Sequence, residues 1–448
     1  MTKKPNIVVA GILDTKGNEI RFLADRVRVA GGTPIILEMS VGKEVGWADI
    51  SLSEVVARVK RATSEIFALE RAKASELIVE GAIRVLSELL EQGKLDGIIA
   101  MAGSMGTSMA TRAMQTLPIG VPKLMLSTMA SGDVRPYVGT RDIGMLYPIA
   151  ESGLNVVTRK ILNNAAGAIV GMATIPEPRA AEKKSLIGCM MFGVTTPCVL
   201  RASKYFEDRG RYDVMVNHAV GTGGRSMEEL IMDGYIVGML DITTHEIADL
   251  LLGGVLSAGA DRLTAAGCLG IPQVVSTGGL DMINFGPAAT VPQKYKEELD
   301  IPGRVVHVHN PMVTIVGTSV DEGFLIGKHI AGKLNQATGL TALCVPLRGW
   351  GAYDVAGPNA DLGWVEESPG PCWISDSERP EWSLRAKRFI DALREVIDRN
   401  KPNLDVLLVD RHMNEPEFAD LMAELLDEML SGAWKKGSHH NMPEFIPF

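Results

Sequence analysis

At 448 residues the chain has room for two or three domains. Hydrophobic residues make up 46%, charged residues 22% and aromatic residues 5%, with 47 glycines; this suits an α/β protein with many tight strand-to-helix turns. A formal net charge of −9 argues against a broad basic surface, so no nucleic-acid partner is expected.

The opening "MTKKPNIVVAGILDTKG" has too short an apolar run for a secretory signal and reads as a first strand. No segment reaches the ~20 continuous apolar residues of a membrane helix. Cys189, Cys198, Cys268, Cys344 and Cys372 are scattered, with no C-x-x-C pair, against a disulfide framework or a structural zinc site. A soluble cytoplasmic protein is expected, with no membrane partner.

In chain order, "NIVVAGI" predicts a strand, "LDTKGNE" a loop, and residues 19–30 a helix. "GGTPIILEMS" is a second strand, and residues 53–93 have helical period with a break. "LDGIIAMAG" is a third strand, with a helix from near Thr107. "VPKLMLST" is a fourth, and residues 153–172 again carry apolar residues at helical spacing. "TIPEPRAAEKKS" has two prolines and a charge run and predicts a linker over 176–184. The pattern then restarts with "LIGCMMFGVTTP", "YDVMVNHAVGTGG", "YIVGMLDITT", "IPQVVSTGG", "RVVHVHNP" and "TALCVPLRGWG", and ends on "LDVLLVDRHM". Wholly apolar strands alternating with helices predict parallel sheets covered on both faces. The expected fold is α/β, two Rossmann-like domains over 1–175 and 185–430 with a cleft between them, and a peripheral tail over 431–448. A histidine pair in such a tail, His439 and His440, is more often solvated than ligating.

A weak internal repeat supports two similar halves. "GILDT" at Gly11 parallels "GVTTP" at Gly193. "GSMGTS" (Gly103, Gly106, Ser108) parallels "GTGGRS" (Gly221, Gly224, Ser226), and "GVPKLMLST" parallels "GIPQVVST".

Ligands of open parallel sheets bind outside the carboxyl ends of the strands. Three first-half loops lie at such ends: Gly11–Gly17, Gly103–Ser108 and Ser127–Asp133. If their strands are neighbours, the loops converge. Glycines let backbone approach a phosphate, and helix N-termini favour anions. Thr15, Ser104, Thr107, Ser108, Thr128 and Ser131 add hydroxyls, Ala130 and Gly132 add backbone N–H groups, and Lys16 adds a charge. Asp14 and Asp133 are the candidate metal ligands. Each loop is equally readable as an ordinary cap or turn. Gly221, Gly223 and Gly224 form a second possible cradle, and spacing does not choose between the two. It is neither a Walker A loop nor a dinucleotide fingerprint.

The second half offers Cys198 near a helix start, where a thiolate is favoured, with His218, Asp241, Glu246 and His309 as acid–base candidates. Thr195, Thr243, Asp281 and Asn284 flank them.

The motifs "GILDTKGNE", "GSMGTS", "LPIGVPKLMLSTMASGDVRPYVG", "NNAAGAIVGM", "FGVTTPCV", "LDITTHEIADLLLGG" and "HNPMVT" resemble the ATP-binding domain named after the tomato mosaic virus resistance protein, over about residues 5–425. The resemblance implies two Rossmann-like subdomains, ATP with Mg²⁺, and a homodimer or higher homo-oligomer. Ala102 stands before Gly103 where the family has a second glycine, and "RGWGAYDVAGPNADLGW" also departs from the family. Three functions are compatible with these residues: an ATP-dependent enzyme on a small-molecule substrate, a non-catalytic ATP-binding module, or a nucleotide-independent lyase or hydrolase using Cys198 and His218.

Overall fold

The computed structural model describes residues 4–176 and 184–448. The chain divides into two compact units, residues 1–180 and 181–448; most of the expected linker, 177–183, lies outside the described residues.

The N-terminal unit holds five strands: β1 (Asn6–Gly11), β2 (Thr33–Glu38), β3 (Gly97–Ala102), β4 (Lys123–Ser127) and β5 (Gly144–Leu146). They form one sheet in the order β2-β1-β3-β4-β5, and every pairing is parallel. Along β1 the side chains alternate. Val8 and Ala10 pack with Val55, Ile78 and Met109 on one face, and Ile7 and Val9 pack with Leu23, Leu162 and Ile169 on the other. Two buried faces explain why these strands read as unbroken apolar runs.

The C-terminal unit holds β6 (Ser185–Met191), β7 (Tyr212–His218), β8 (Ile236–Thr243), β9 (Gln273–Gly278), β10 (Met282–Phe285), β11 (Val306–Asn310), β12 (Val313–Gly317), β13 (Thr341–Pro346), β14 (Leu404–Val409) and β15 (Phe445–Ile446). The main sheet runs β15-β14-β13-β9-β8-β6-β7, parallel except where β15 joins β14.

Both units therefore place their first strand between their second and third. The order reverses at β1/β3 and again at β6/β8, which opens a crevice beyond the strand ends in each unit. The halves match by topology, with one correction to the repeat. β1 corresponds to β6 and β4 to β9, as the paired motifs suggest. The "GSMGTS" loop, however, follows β3, the third strand of its unit, whereas "GTGGRS" follows β7, the second strand of its own. The topological counterpart of "GSMGTS" is the "TTHE" turn after β8.

Three further expectations are corrected. The first helix starts at Leu13, not near residue 19, with a non-helical Lys16 inside it, so "LDTKG" is a helical turn. "RVVHVHNP" does not join the parallel sheet. It is β11, the edge of a three-stranded antiparallel sheet, β10-β12-β11. Residues 431–448 are more than a peripheral tail. β15 extends the main sheet, His440 bonds Asp405 at 3.0 Å and stacks on Phe445, and His439 bonds Glu428 at 3.0 Å.

Candidate functional site

In the N-terminal unit β1, β3 and β4 are adjacent, so the condition for convergence is met and the loops after them share one crevice. After β1, Ile12 caps the helix Leu13–Val29 through its carbonyl, which accepts the Lys16 amide at 2.9 Å, and Thr15 Oγ1 bonds the same carbonyl at 3.2 Å. After β3, the helix Ser104–Gln115 begins with no side-chain cap. The first amides of any helix lack intrahelical partners, and among the described residues no capping side chain takes up these. Thr107 is fully buried and ties the loops together, donating to the Gly103 carbonyl at 2.8 Å and sharing a 2.6 Å hydroxyl contact with Ser127. Ser127 in turn accepts the Met129 amide at 2.9 Å. Ser131 Oγ donates to the Thr128 carbonyl at 3.0 Å. Thr15, Ser104, Ser108, Ser131 and Gly132 are exposed, and Ala130 is half-buried.

The glycines divide by what surrounds them. A Cβ on Gly11 would lie 2.7 Å from Ile20 Cδ1, and one on Gly106 would lie 2.6 Å from Ala102 Cβ and 2.8 Å from Ile12 Cδ1. These two glycines allow close helix–strand packing, so Gly106 is not an open phosphate cradle. Gly103 differs: a Cβ there would meet the Glu151 carboxylate, at 2.5 Å from Oε1.

Glu151, in the segment after β5, was not singled out by sequence. Its main-chain oxygen and its Oε1, the latter at 3.4 Å, face the Lys16 ammonium, and its Oε2 accepts from Thr128 Oγ1 at 3.1 Å. Lys16 is buried, its side chain 9% exposed, while that of Glu151 is 63% exposed.

The two candidate metal ligands behave differently. Asp14 Oδ2 accepts the amides of Gly42 and Lys43 at 2.9 and 3.2 Å, while its Oδ1 is buried with no hydrogen-bond partner among the described residues. Asp133 is spent on Arg135, at 2.9 Å to Nε and 2.7 Å to Nη2. These hydrogen bonds pull its carboxyl down to about 2. Among the described residues no group of three or more His, Cys, Asp or Glu side chains is arranged to hold a metal. Mg²⁺ does not require one, because it keeps several waters and binds through one or two carboxylates plus substrate phosphates.

In the C-terminal unit the glycine loop is already filled. Glu246, fully buried, accepts the amides of Gly221 at 2.6 Å and Gly224 at 3.2 Å, and Arg262 Nε at 2.7 Å. A Cβ on Gly224 would fall 2.2 Å from that carboxylate, and one on Gly223 would overlap the His218 carbonyl. Arg262, buried like its partners, also grips Asp241 through two 2.5 Å bonds and lies 3.5 Å from Glu228. Burial pushes the Asp241 and Glu228 carboxyls up, and Arg262 draws them back. Asp241 and Glu246 thus act as ties between loops.

The remaining catalytic candidates do not assemble. Cys198 lies in the apolar core beside Val199 and Ala202, and burial pushes its thiol far up, which removes the nucleophile expected at the helix start. His218 is exposed and stacks on Phe192 at 5.5 Å. Phe192 also packs on His245 at 4.2 Å; burial lowers His245 to about 3, so its imidazole is neutral. His309 Nδ1 bonds Tyr353 Oη at 2.8 Å in the antiparallel sheet. Arg262 carried no signal in "GADRL", since its three acidic partners come from other elements.

A doubly wound α/β chain with crevices at its strand-order reversals is the class these observations define. The chain belongs to the family described as Uncharacterised protein family (UPF0261), whose N-terminal domain matches residues 5–178 and whose C-terminal domain matches residues 184–362. It is 41% identical to a UPF0261 protein of Clostridium tetani, over 96% of this chain and 100% of that one. It is 41% identical to a UPF0261 protein of Rhizobium meliloti, over 84% and 93%. It is 32% identical to the ToMV resistance protein Tm-1(GCR237) of Solanum lycopersicum, over 94% of this chain but 55% of the tomato protein.

Among the described residues no helix is long and apolar enough to cross a membrane.

Proposed function

We propose that the chain is an ATP-binding protein that takes its nucleotide with Mg²⁺ in the N-terminal unit, the phosphates lying against the loops after β1, β3 and β4. The observation that carries this reading is Lys16: a buried ammonium aimed into a crevice formed by an uncapped helix N-terminus and the Gly103 backbone. Lys16, Gly103, Ser104 and Thr128 would hold the phosphates. Asp14, with its orphaned buried oxygen, would hold Mg²⁺ through water. The competing cradle at Gly221 to Gly224 has its amides engaged by Glu246, which favours the first loops. Calorimetry with ATP, with and without Mg²⁺, tests this; absence of binding at millimolar nucleotide defeats it.

A second reading adds an enzymatic role, with a small-molecule substrate in the C-terminal unit. Exposed His218 on Phe192, at the end of β7 beside the β6/β8 reversal, supports it as an acid–base group. ATP turnover with a panel of metabolites separates an enzyme from a module that only binds. The resemblance read from the sequence also supports a homo-oligomer, which light scattering on the purified chain checks.

A further inference from the structure

We infer that Glu151 is an internal competitor for the oxyanion site of the N-terminal unit: its carboxylate stands where a phosphoryl group of the ligand binds, and the ligand must displace it. The inference rests on the nucleotide reading above and adds how access to that site is controlled.

The Glu151 carboxylate has the surroundings a bound phosphoryl group needs. One oxygen accepts from Thr128 Oγ1 at 3.1 Å, the other faces Lys16 Nζ at 3.4 Å, and that same oxygen lies against the Cα of Gly103, where no side chain intervenes. A carboxylate and a phosphoryl group share charge sign and oxygen geometry, so these groups serve either one. They do not serve both, because two anions within a few ångströms repel.

The Gly221–Gly224 loop of the C-terminal unit shows what a permanent internal anion looks like. Glu246 is fully buried, bonded to Arg262 and to two glycine amides. Among the described residues Glu151 is paired with a lysine and a threonine and with no arginine, its side chain is 63% exposed, and it sits outside any helix or strand. Two residues earlier, Ile149 has φ +66° and is 61% exposed. A β-branched residue in the left-handed region is strained, so releasing this segment relieves strain. Its far end is anchored, with the Gly153 amide on Glu19 Oε1 at 2.7 Å, so displacement of Glu151 is a local swing of residues 147–152.

The test is calorimetric titration of the full chain and its Glu151→Gln variant with ATP–Mg²⁺ and with inorganic triphosphate. Glu151→Ala serves as a second variant that keeps no hydrogen-bonding head. Both variants are expected to bind both probes about twofold to fivefold more tightly than the wild type, the scale of one exposed ion pair removed. A residue that merely supports the loop would weaken binding when removed. If the wild type binds and both variants bind equally or more weakly, the competitor role is overturned and the nucleotide reading stands. If neither wild type nor variants bind either probe, the nucleotide reading falls and the competitor role falls with it.

Discussion

The buried ammonium of Lys16 and the exposed carboxylate of Glu151 meet across 135 residues of chain, Nζ to Oε1 at 3.4 Å. A lysine this enclosed needs an anion. If that anion is exchangeable, Lys16→Met should keep the packing of the aliphatic stem and remove the charge. ATP–Mg²⁺ affinity is then expected to fall by about tenfold or more, the scale of a lost charge-assisted contact, with the melting temperature little changed. Equal affinity in calorimetry would remove Lys16 from the site.

Gly103 and Gly106 should separate. Alanine at Gly106 meets the Ala102 Cβ at 2.6 Å, which no side-chain rotation can move, so a loss of about 1–3 kcal/mol in denaturant unfolding is expected. Alanine at Gly103 meets only the far end of the Glu151 side chain. That variant should unfold like the wild type yet bind nucleotide more weakly, because the methyl enters the cradle. The reverse pattern would make Gly103 the packing glycine.

Asp133→Asn removes the charge from an exposed pair with Arg135. It is expected to leave the Mg²⁺ dependence of ATP binding unaltered, whereas Asp14→Asn should reduce it. A titration with and without Mg²⁺ in which Asp133→Asn alone changes the metal dependence would exchange the two assignments.

Arg262 neutralises acids from three segments of the C-terminal unit. Arg262→Met leaves Asp241 and Glu246 buried without their cation, and a loss of about 3–5 kcal/mol is expected in chemical denaturation. A loss under about 1 kcal/mol would mean that the acids take up protons and the loops hold without the ion cluster.

Asp354 is fully buried near Arg385, and burial pushes its carboxyl up to about 7 from 3.8. The folded state therefore holds this proton more tightly than the unfolded chain does. The stability it contributes is complete below about pH 4 and is lost as pH rises through about 7. His245 and His412, lowered by burial to about 3 and about 4, act oppositely, their contribution being lost as pH falls below about 6.5. Comparison with Asp354→Asn isolates the carboxyl: the melting temperature of the variant relative to the wild type should rise by a few degrees between pH 5 and pH 8. A difference independent of pH would mean that Asp354 is ionised throughout that range.

Where the sequence was legible, one short stretch held the whole signal. The β1, β3 and β4 runs are apolar on both faces, and the glycine and hydroxyl residues that follow them sit at the strand ends as expected. The start of the first helix was missed because Asp14, Lys16 and Gly17 look like loop residues. Yet Leu13 is buried and Asp14 lies in the first turn, where an acid is favoured by the helix dipole. Glu151, Arg262 and the pairing of β15 depend on partners far away in sequence, and no local pattern announces them. Cys198 shows the opposite failure: a helix start suggested a reactive thiol, but the face it occupies is core.

Amide hydrogen exchange across the full chain, with and without ATP–Mg²⁺, tests the central claim most directly. If the nucleotide lies at the β1/β3 reversal, protection should rise in residues 103–108 and 127–132 and stay unchanged in 221–224, whose Gly221 and Gly224 amides are held by Glu246. Protection at 221–224 with none at 103–108, or no change at millimolar nucleotide, would contradict it.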